Sequence, residues 1–166
     1  RMLCVLPFFH VFAMTVAQNL SVAIGAEMVL MPRFELKALL DTIRRKSITL
    51  FPGVPTIYTA INNSEMTKGY DLTTIRLCIS GGAPLPVEVK TQFEGLTGCI
   101  LVEGYGLTET SPLVSANGWS GPGKSKLNTV GLVANGVKVT IDTDAWDDPE
   151  RPDEGEIVVT GPNVMM

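Results

Sequence analysis

One histidine and three cysteines are all that 166 residues hold of those types. There is no CxxC and no second metal ligand near any cysteine, which excludes a zinc site built on ordinary ligand spacing. Three thiols cannot all pair within one chain. Cys4, Cys78 and Cys99 each sit in a short apolar run, so buried, reduced thiols of a cytoplasmic protein are expected. Charge is scarce as well, at 18% of residues with a net charge of −4. No overall basic field is available to hold nucleic acid. No GxSxG surrounds Ser80, so Ser80 with His10 does not make a nucleophile elbow. There is no internal repeat, no signal-peptide pattern and no collagen-like period to the 16 glycines and 11 prolines. A hydrophobic content of 45% excludes a disordered chain.

The acidity is local. Asp142 to Glu156 carries eight of the 17 acids and one of the 13 bases, so the remainder is slightly basic. No charge falls between Met2 and Ala26. Pro7 and Gln18-Asn19-Leu20-Ser21 interrupt that stretch, so a strand and a buried helix are expected there rather than a membrane span. The chain opens on Arg1 in mid-pattern and closes on Met165-Met166 just after a strand pattern. A piece of a longer protein is the expectation.

Apolar runs end at prolines and glycines. Met2–Leu6 reads as a strand closed by Pro7, and Phe8–Gly25 as a buried helix. Met28–Met31 is a second strand, and Phe34, Leu36, Leu39, Leu40 and Ile43 follow helical spacing with Arg44-Arg45-Lys46 in the last turn. Ser47–Phe51 is a third strand ended by Pro52-Gly53, and Pro55 opens the next helix. Ile75–Ser80 is a fourth strand stopped by Gly81-Gly82. Pro86 then starts a helix that Gly95 ends, and Cys99–Val102 is a fifth strand. Such alternation predicts an α/β fold with a doubly wound parallel sheet over residues 1–126. Thr129–Val133, Val137–Asp142 and Glu156–Thr160 come next without helices, so 127–166 reads as the start of a smaller all-β unit. In doubly wound sheets ligands sit beyond the carboxyl ends of the strands. That singles out Pro7–His10, Pro52–Pro55, Gly81–Pro84 and Glu103–Thr110.

Gly118–Ser125 fits GxxxxGK[ST] letter for letter. A phosphate-cradling loop needs a helix start after it, and Lys126-Leu127-Asn128-Thr129-Val130-Gly131 is poor helix material. Pro122 removes one donor from the would-be cradle, and a solvated hinge loop is the plainer reading. Counted as a calcium loop from Asp142, the sixth and twelfth positions hold Asp147 and Asp153 where Gly and Glu are needed. A solvated acidic turn fits better. Gly81-Gly82-Ala83-Pro84 lets a flat ligand approach the backbone, or makes an ordinary strand-to-helix turn. In Glu103–Thr110, Gly104 and Gly106 free the backbone around the Tyr105 ring. Thr108 offers a hydroxyl to a phosphate and Glu109 a hard oxygen to Mg²⁺. A glycine-rich turn with a capping Thr is the alternative. His10 is a core or helix-start residue, or a functional one at a strand end.

These residues together resemble the adenylate-forming acyl-CoA synthetases, and most of all the long-chain fatty-acid–CoA ligases. The resemblance rests on Leu6-Pro7-Phe8-Phe9-His10-Val11-Phe12, Phe51-Pro52-Gly53-Val54-Pro55-Thr56, Ser80-Gly81-Gly82-Ala83-Pro84-Leu85, Glu103-Gly104-Tyr105-Gly106-Leu107-Thr108-Glu109 and Gly155–Met165, in that order. It covers essentially the whole chain. It implies a ligase that joins a fatty acid to ATP as an acyl-adenylate, releases pyrophosphate and passes the acyl group to coenzyme A, with Mg²⁺ as cofactor. It also implies roles. Gly81, Gly82 and Ala83 line the adenine and acyl pocket, and Glu103, Gly104 and Tyr105 hold the adenine. Thr108 contacts the α-phosphate, Glu109 binds Mg²⁺, and His10 lies by the acyl carboxylate. Phe12, Gly106, Pro112 and Leu113 match acyl-pocket positions. Substrates of this class partition into bilayers, so peripheral contact with a membrane surface is compatible with the resemblance.

The family's phosphate loop with its Lys, the Thr-Gly-Asp segment that holds the ribose, and the small C-terminal domain with its Lys are not in this sequence. Thr160 stands where Arg is frequent. The chain alone is therefore expected to make no acyl-adenylate, and the missing parts of its parent chain are its expected partners. Two other readings stay open at this point: a P-loop NTPase through Gly118–Ser125, and a non-catalytic binding module on the ligase fold.

Overall fold

Apolar runs of three to six residues, each closed by Pro or Gly and succeeded by a segment of helical period, dictate strand–helix alternation. The computed structural model of the protein shows that alternation, and it describes residues 1–118, 125–144, 150–151 and 153–166. Five strands run parallel: β1 (Met2–Cys4), β2 (Met28–Leu30), β3 (Leu50–Gly53), β4 (Leu77–Ser80) and β5 (Ile100–Tyr105). Antiparallel β6 (Ser115–Ala116) and β7 (Leu132–Val133) extend the sheet, giving the order β2-β1-β3-β4-β5-β6-β7 among the described residues. β8 (Lys138–Asp142) and β9 (Glu156–Thr160) form a separate antiparallel pair. The fold is α/β, as the pattern predicts.

Helices cover both faces. Leu3 of β1 and Val5 just after it share a core cluster with Leu39, Leu40, Ile57, Tyr58 and Phe93, whereas Met2 and Cys4 pack with Ala17. Neighbours along a strand point to opposite faces. So α3 (Leu36–Lys46), α4 (Pro55–Asn62) and α5 (Val87–Thr97) lie on one side. On the other, α1 (Val11–Ala13), a π-helical stretch (Met14–Asn19) and α2 (Leu20–Ile24) run on as one helix. Its buried residues are Ala13, Ala17 and Ser21, small side chains four apart that let it lie close on the sheet. Gly25 ends it in the left-handed region, at φ 66°.

Several boundaries differ from the sequence expectation, each for a local reason. The first helix starts at Val11 rather than Phe8, because Pro7–His10 folds as a turn with the His10 N–H donating to the Pro7 carbonyl. Pro52 and Gly53 lie inside β3, paired with Ile79 and Ser80. β1 and β3 pair only at Met2 and Leu50, so Pro52 lacks its N–H where that ladder has already ended. Gly95 does not end α5; the helix continues to Thr97, and Gly98, at φ 72°, is the cap. β5 runs on through Glu103-Gly104-Tyr105, read from sequence as a loop. β7, grouped by sequence with the all-β unit, belongs to the large sheet. Among the described residues no helix is long and apolar enough to cross a membrane.

Candidate active site

The parallel strands present their carboxyl ends on one side, and three of the four segments singled out there meet around one cavity of about 420 Å³. Strand alternation builds its floor. Ile79 and Gly81 from β4 and its end, with Val102 and Gly104 from β5, line it, while Ser80 between them is fully buried. Gly81 fits closely here: a Cβ would come within 3.3 Å of the Phe12 ring, which would have to give by a few tenths of an ångström. Gly82 comes next in the left-handed region, at φ 81°. The fourth segment supports rather than lines. The Gly53 carbonyl accepts from the Gly81 N–H at 3.3 Å, and the Val54 side chain lies beneath Gly82.

Beyond Tyr105 the chain turns sharply. A Cβ on Gly106 would fall on the Pro112 carbonyl, so only glycine lets the turn close. Thr108–Thr110 forms one 3₁₀ turn. Its hydroxyl clasp comes from Thr110 and not Thr108. Thr110 Oγ1 accepts from the Leu107 N–H at 2.9 Å and lies 3.1 Å from the Pro112 carbonyl. Thr108 and Glu109 are left exposed on the cavity wall. Among the described residues nothing pairs with the Glu109 carboxylate.

His10, Phe12, Gly81, Gly82, Gly104, Tyr105, Gly106, Thr108, Glu109, Pro112 and Leu113 all stand on this cavity. Glu103 and Ala83 do not. Because Glu103 is a strand residue, alternation turns it away from the side that Val102 and Gly104 line. Its Oε1 accepts the Leu85 N–H at 2.9 Å, so it holds the loop after β4. Ala83 is exposed in that loop. His10 caps the helix: its Nδ1 accepts from the Phe12 N–H at 3.2 Å. A neutral imidazole so bonded carries its proton on Nε2, which makes that nitrogen a donor.

Three participants were not singled out from sequence. Val16 lines the cavity and also a small apolar crevice of about 20 Å³, which it shares with Ile79, Leu20 and Pro52. Asn117 lines the cavity and ties two later segments: its Oδ1 accepts from the Lys126 N–H at 3.0 Å and its Nδ2 donates to the Thr129 carbonyl at 2.6 Å. Asn163 reaches the turn from the far end of the chain, donating to the Thr110 and Leu113 carbonyls. Helical position marks Val16, and Asn163 falls in the Gly155–Met165 stretch that carries the resemblance, but nothing local marks the contacts of either asparagine.

The thiols take no part in the cavity. All three are free and buried. Burial pushes Cys4 up to about 11 and Cys78 well above the ordinary thiol range, while the hydrogen bond with Cys78 lowers Cys99. The competing motifs fare worse. Residues 119–124 of the GxxxxGK[ST] match lie outside the described residues, but beyond Ser125 the chain makes a turn and then β7, with no helix. The acidic segment includes 145–149 and 152, also outside the described residues. Among those described, no group of three His, Cys, Asp or Glu is placed to hold a metal ion.

An open cavity at the carboxyl ends of parallel strands, with an aromatic ring, a hydroxyl and an unpaired carboxylate on its rim, suits a nucleotide and an acid together. The family model for AMP-binding enzymes matches residues 1–166. A long-chain-fatty-acid–CoA ligase of Bacillus subtilis (strain 168) is 43% identical over 167 residues, covering 99% of this chain and 29% of the ligase. 4-Coumarate–CoA ligase 1 of Arabidopsis thaliana is 36% identical, covering 98% and 30%. The crystal structure of ATP-bound MatB from Rhodopseudomonas palustris matches with a TM-score of 0.79 at 32% identity, over 98% of this chain and 32% of that one. The chain thus spans about three-tenths of the length of the relatives it matches. Since the match runs through every residue that builds the cavity, the chain belongs to the AMP-binding enzyme family.

Proposed function

We propose that the protein carrying this chain activates a fatty acid with ATP and transfers it to coenzyme A. The observation that carries this reading is one cavity with two chemistries. Its rim holds Tyr105, Thr108 and Glu109, and its floor is apolar and adjoins a crevice under Val16 and Ile79. A carboxylate is a poor electrophile with a poor leaving group. In the first half-reaction its oxygen bonds to the α-phosphorus as the bond to pyrophosphate breaks. In the second, the thiol sulfur of coenzyme A bonds to the acyl carbon and AMP leaves. Positioning and charge neutralisation are the protein's main contributions to such phosphate chemistry.

Each residue has a task in that scheme. Tyr105 offers its ring face to the adenine. Gly81 and Gly104 let backbone and ligand meet closely. Thr108 donates its hydroxyl toward the α-phosphate. His10, with Nδ1 committed to the helix cap, donates from Nε2 to the acyl carboxylate. Phe12, Pro112 and Leu113 enclose the acyl group. One unpaired carboxylate beside phosphate oxygens is a donor set that suits Mg²⁺, which is bound through one or two carboxylates plus substrate phosphates. Glu109 would hold it, and the ion supplies neutralisation of phosphate charge. The higher identity to a long-chain-fatty-acid–CoA ligase (43%) than to 4-coumarate–CoA ligase 1 (36%) favours a long apolar chain over a compact aromatic acid. The division into an α/β part (1–126) and a β-rich part (127–166) belongs to this proposal, with β7 reaching back across it, as does a reducing, cytoplasmic setting for the three thiols.

The test is pyrophosphate exchange into ATP by the full-length protein. Glu109→Gln is expected to lower the magnesium-dependent rate by about 100-fold or more, the scale of losing one well-placed electrostatic group. A near-normal rate would remove the role given to Glu109. The 166-residue chain alone is expected to show no exchange, and magnesium-dependent turnover by it would refute that part.

A further inference from the structure

Beyond β9 the chain crosses to the turn that carries Thr108 and Glu109. Asn163 Nδ2 donates to the Thr110 carbonyl at 2.7 Å and to the Leu113 carbonyl at 2.8 Å, across 53 and 50 positions of sequence. The Met165 N–H donates to the Glu109 carbonyl at 2.8 Å. Three carbonyls of one turn are taken by one short stretch. Both side-chain partners are acceptors, so the amide must present its NH₂ to them. The other end of that amide is cramped. A Cβ at Gly161 would approach Asn163 Oδ1 to 2.7 Å. Asn163 Oδ1 is also buried with no hydrogen-bond partner among the described residues. An unsatisfied buried oxygen is costly, which makes a mere space-filling role for this amide a poor account of it.

We propose that Asn163 is a positioning residue: it fixes, from behind, the direction in which Thr108 and Glu109 face the cavity. This rests on the reading of that turn as the phosphate and magnesium side of the site. Thr110 holds the turn to itself; Asn163 holds it to the β8–β9 unit. A small misplacement of groups that stabilise developing charge is enough to slow a reaction strongly. The β-rich unit therefore contributes to adenylation without touching the substrates.

The experiment uses the full-length protein and pyrophosphate exchange, with ATP, Mg²⁺ and fatty acid varied separately. Asn163→Leu keeps the approximate shape and removes both donors. It is expected to raise the half-saturating Mg²⁺ concentration and lower the exchange rate by about 10- to 100-fold, the usual scale for a supporting residue behind a site. The half-saturating fatty-acid concentration should stay within about two-fold. Asn163→Asp, whose oxygens would face two carbonyls, should be at least as impaired. A structural role alone would reduce the amount of folded protein and leave every half-saturating concentration unchanged; that result overturns the proposal, as does Asn163→Asp with unaltered kinetics. Should Asn163→Leu fail to fold, Gly161→Ala, which crowds the amide without deleting it, should give a milder form of the same magnesium shift, and its absence overturns the proposal equally. Glu109→Gln separates the two readings. If it abolishes exchange while Asn163→Leu shifts nothing, only the positioning role fails. If Glu109→Gln is harmless, or the unaltered protein shows no exchange, the reading of the turn falls and the positioning role falls with it.

Discussion

Val16 lines both the cavity and the crevice of about 20 Å³. A phenyl ring at this position would take up volume in the cavity. Val16→Phe is therefore expected to lower kcat/KM for long acyl chains by about 10-fold or more, while acids of a few carbons are hardly affected. The scale comes from roughly 0.8 kcal/mol for each methylene that loses its burial. Comparing kcat/KM along a series of linear acids checks this, and a uniform loss at every length would count against it. Residues of this kind differ in how far the sequence reveals them. Gly104, Tyr105, Gly106, Thr108 and Glu109 lie within six positions, so their chemistry can be read as a local pattern. Glu103 belongs to the same pattern but not to the cavity; its direction depends on where β5 ends, and strand ends are set by pairing with neighbours. Asn163 and Asn117 gain their meaning from partners far along the chain. Isolated amides carry no periodic or spacing signal.

At the scale of elements, the joints between strand and helix hold the site in place. Tyr58 of α4 is fully buried, and its hydroxyl lies 2.9 Å from the Phe51 carbonyl of β3 and 3.2 Å from the Ile79 carbonyl of β4. Burial pushes that hydroxyl well above the ordinary tyrosine range, so it stays a donor. Tyr58→Phe deletes the donor that these two carbonyls share, at an expected cost of about 1 kcal/mol in unfolding free energy. Chemical denaturation checks it, and a stabilising effect would show that the hydroxyl is strained rather than supportive. Gly53 completes the joint, since a Cβ there would meet the Tyr58 ring at 2.9 Å. On the outer side of β5, α5 does what a strand would otherwise do. Glu94 accepts the Leu101 N–H at 2.8 Å and Lys90 donates to the Leu101 carbonyl. Their mutual ion pair is largely shielded. β6 reaches only Gly104 and Tyr105, so these side chains cover the edge it leaves bare. The alternation of strands and helices was legible because period and breakers are local. These side-chain joints were not, because a Lys–Glu pair at i,i+4 on a helix looks the same whether it faces water or a strand edge.

At the scale of the whole molecule, charge state links the core to solution conditions. Cys4 lies against Met2 and Ala17 in the layer under the first helix, and burial raises it from 9.0 to about 11. The folded form thus holds its proton more tightly than the unfolded form does. The stability this contributes is full below about pH 9 and is lost as the pH rises through about 11. Denaturation midpoints of the chain should fall over that window, and less steeply in Cys4→Ala. An unchanged slope would show that Cys4 does not carry the effect. A second whole-molecule feature is the pair of ties made by Asn117. With its backbone N–H on the Glu103 carbonyl and its side chain on Lys126 and Thr129, this one residue draws together the two ends of the segment 118–125. The neck is knotted independently of what it encloses. Doubling the length of chain between two tethered ends costs only about 0.6 kcal/mol, so an engineer can insert a reporter between these ties with the walls of the cavity left as they are.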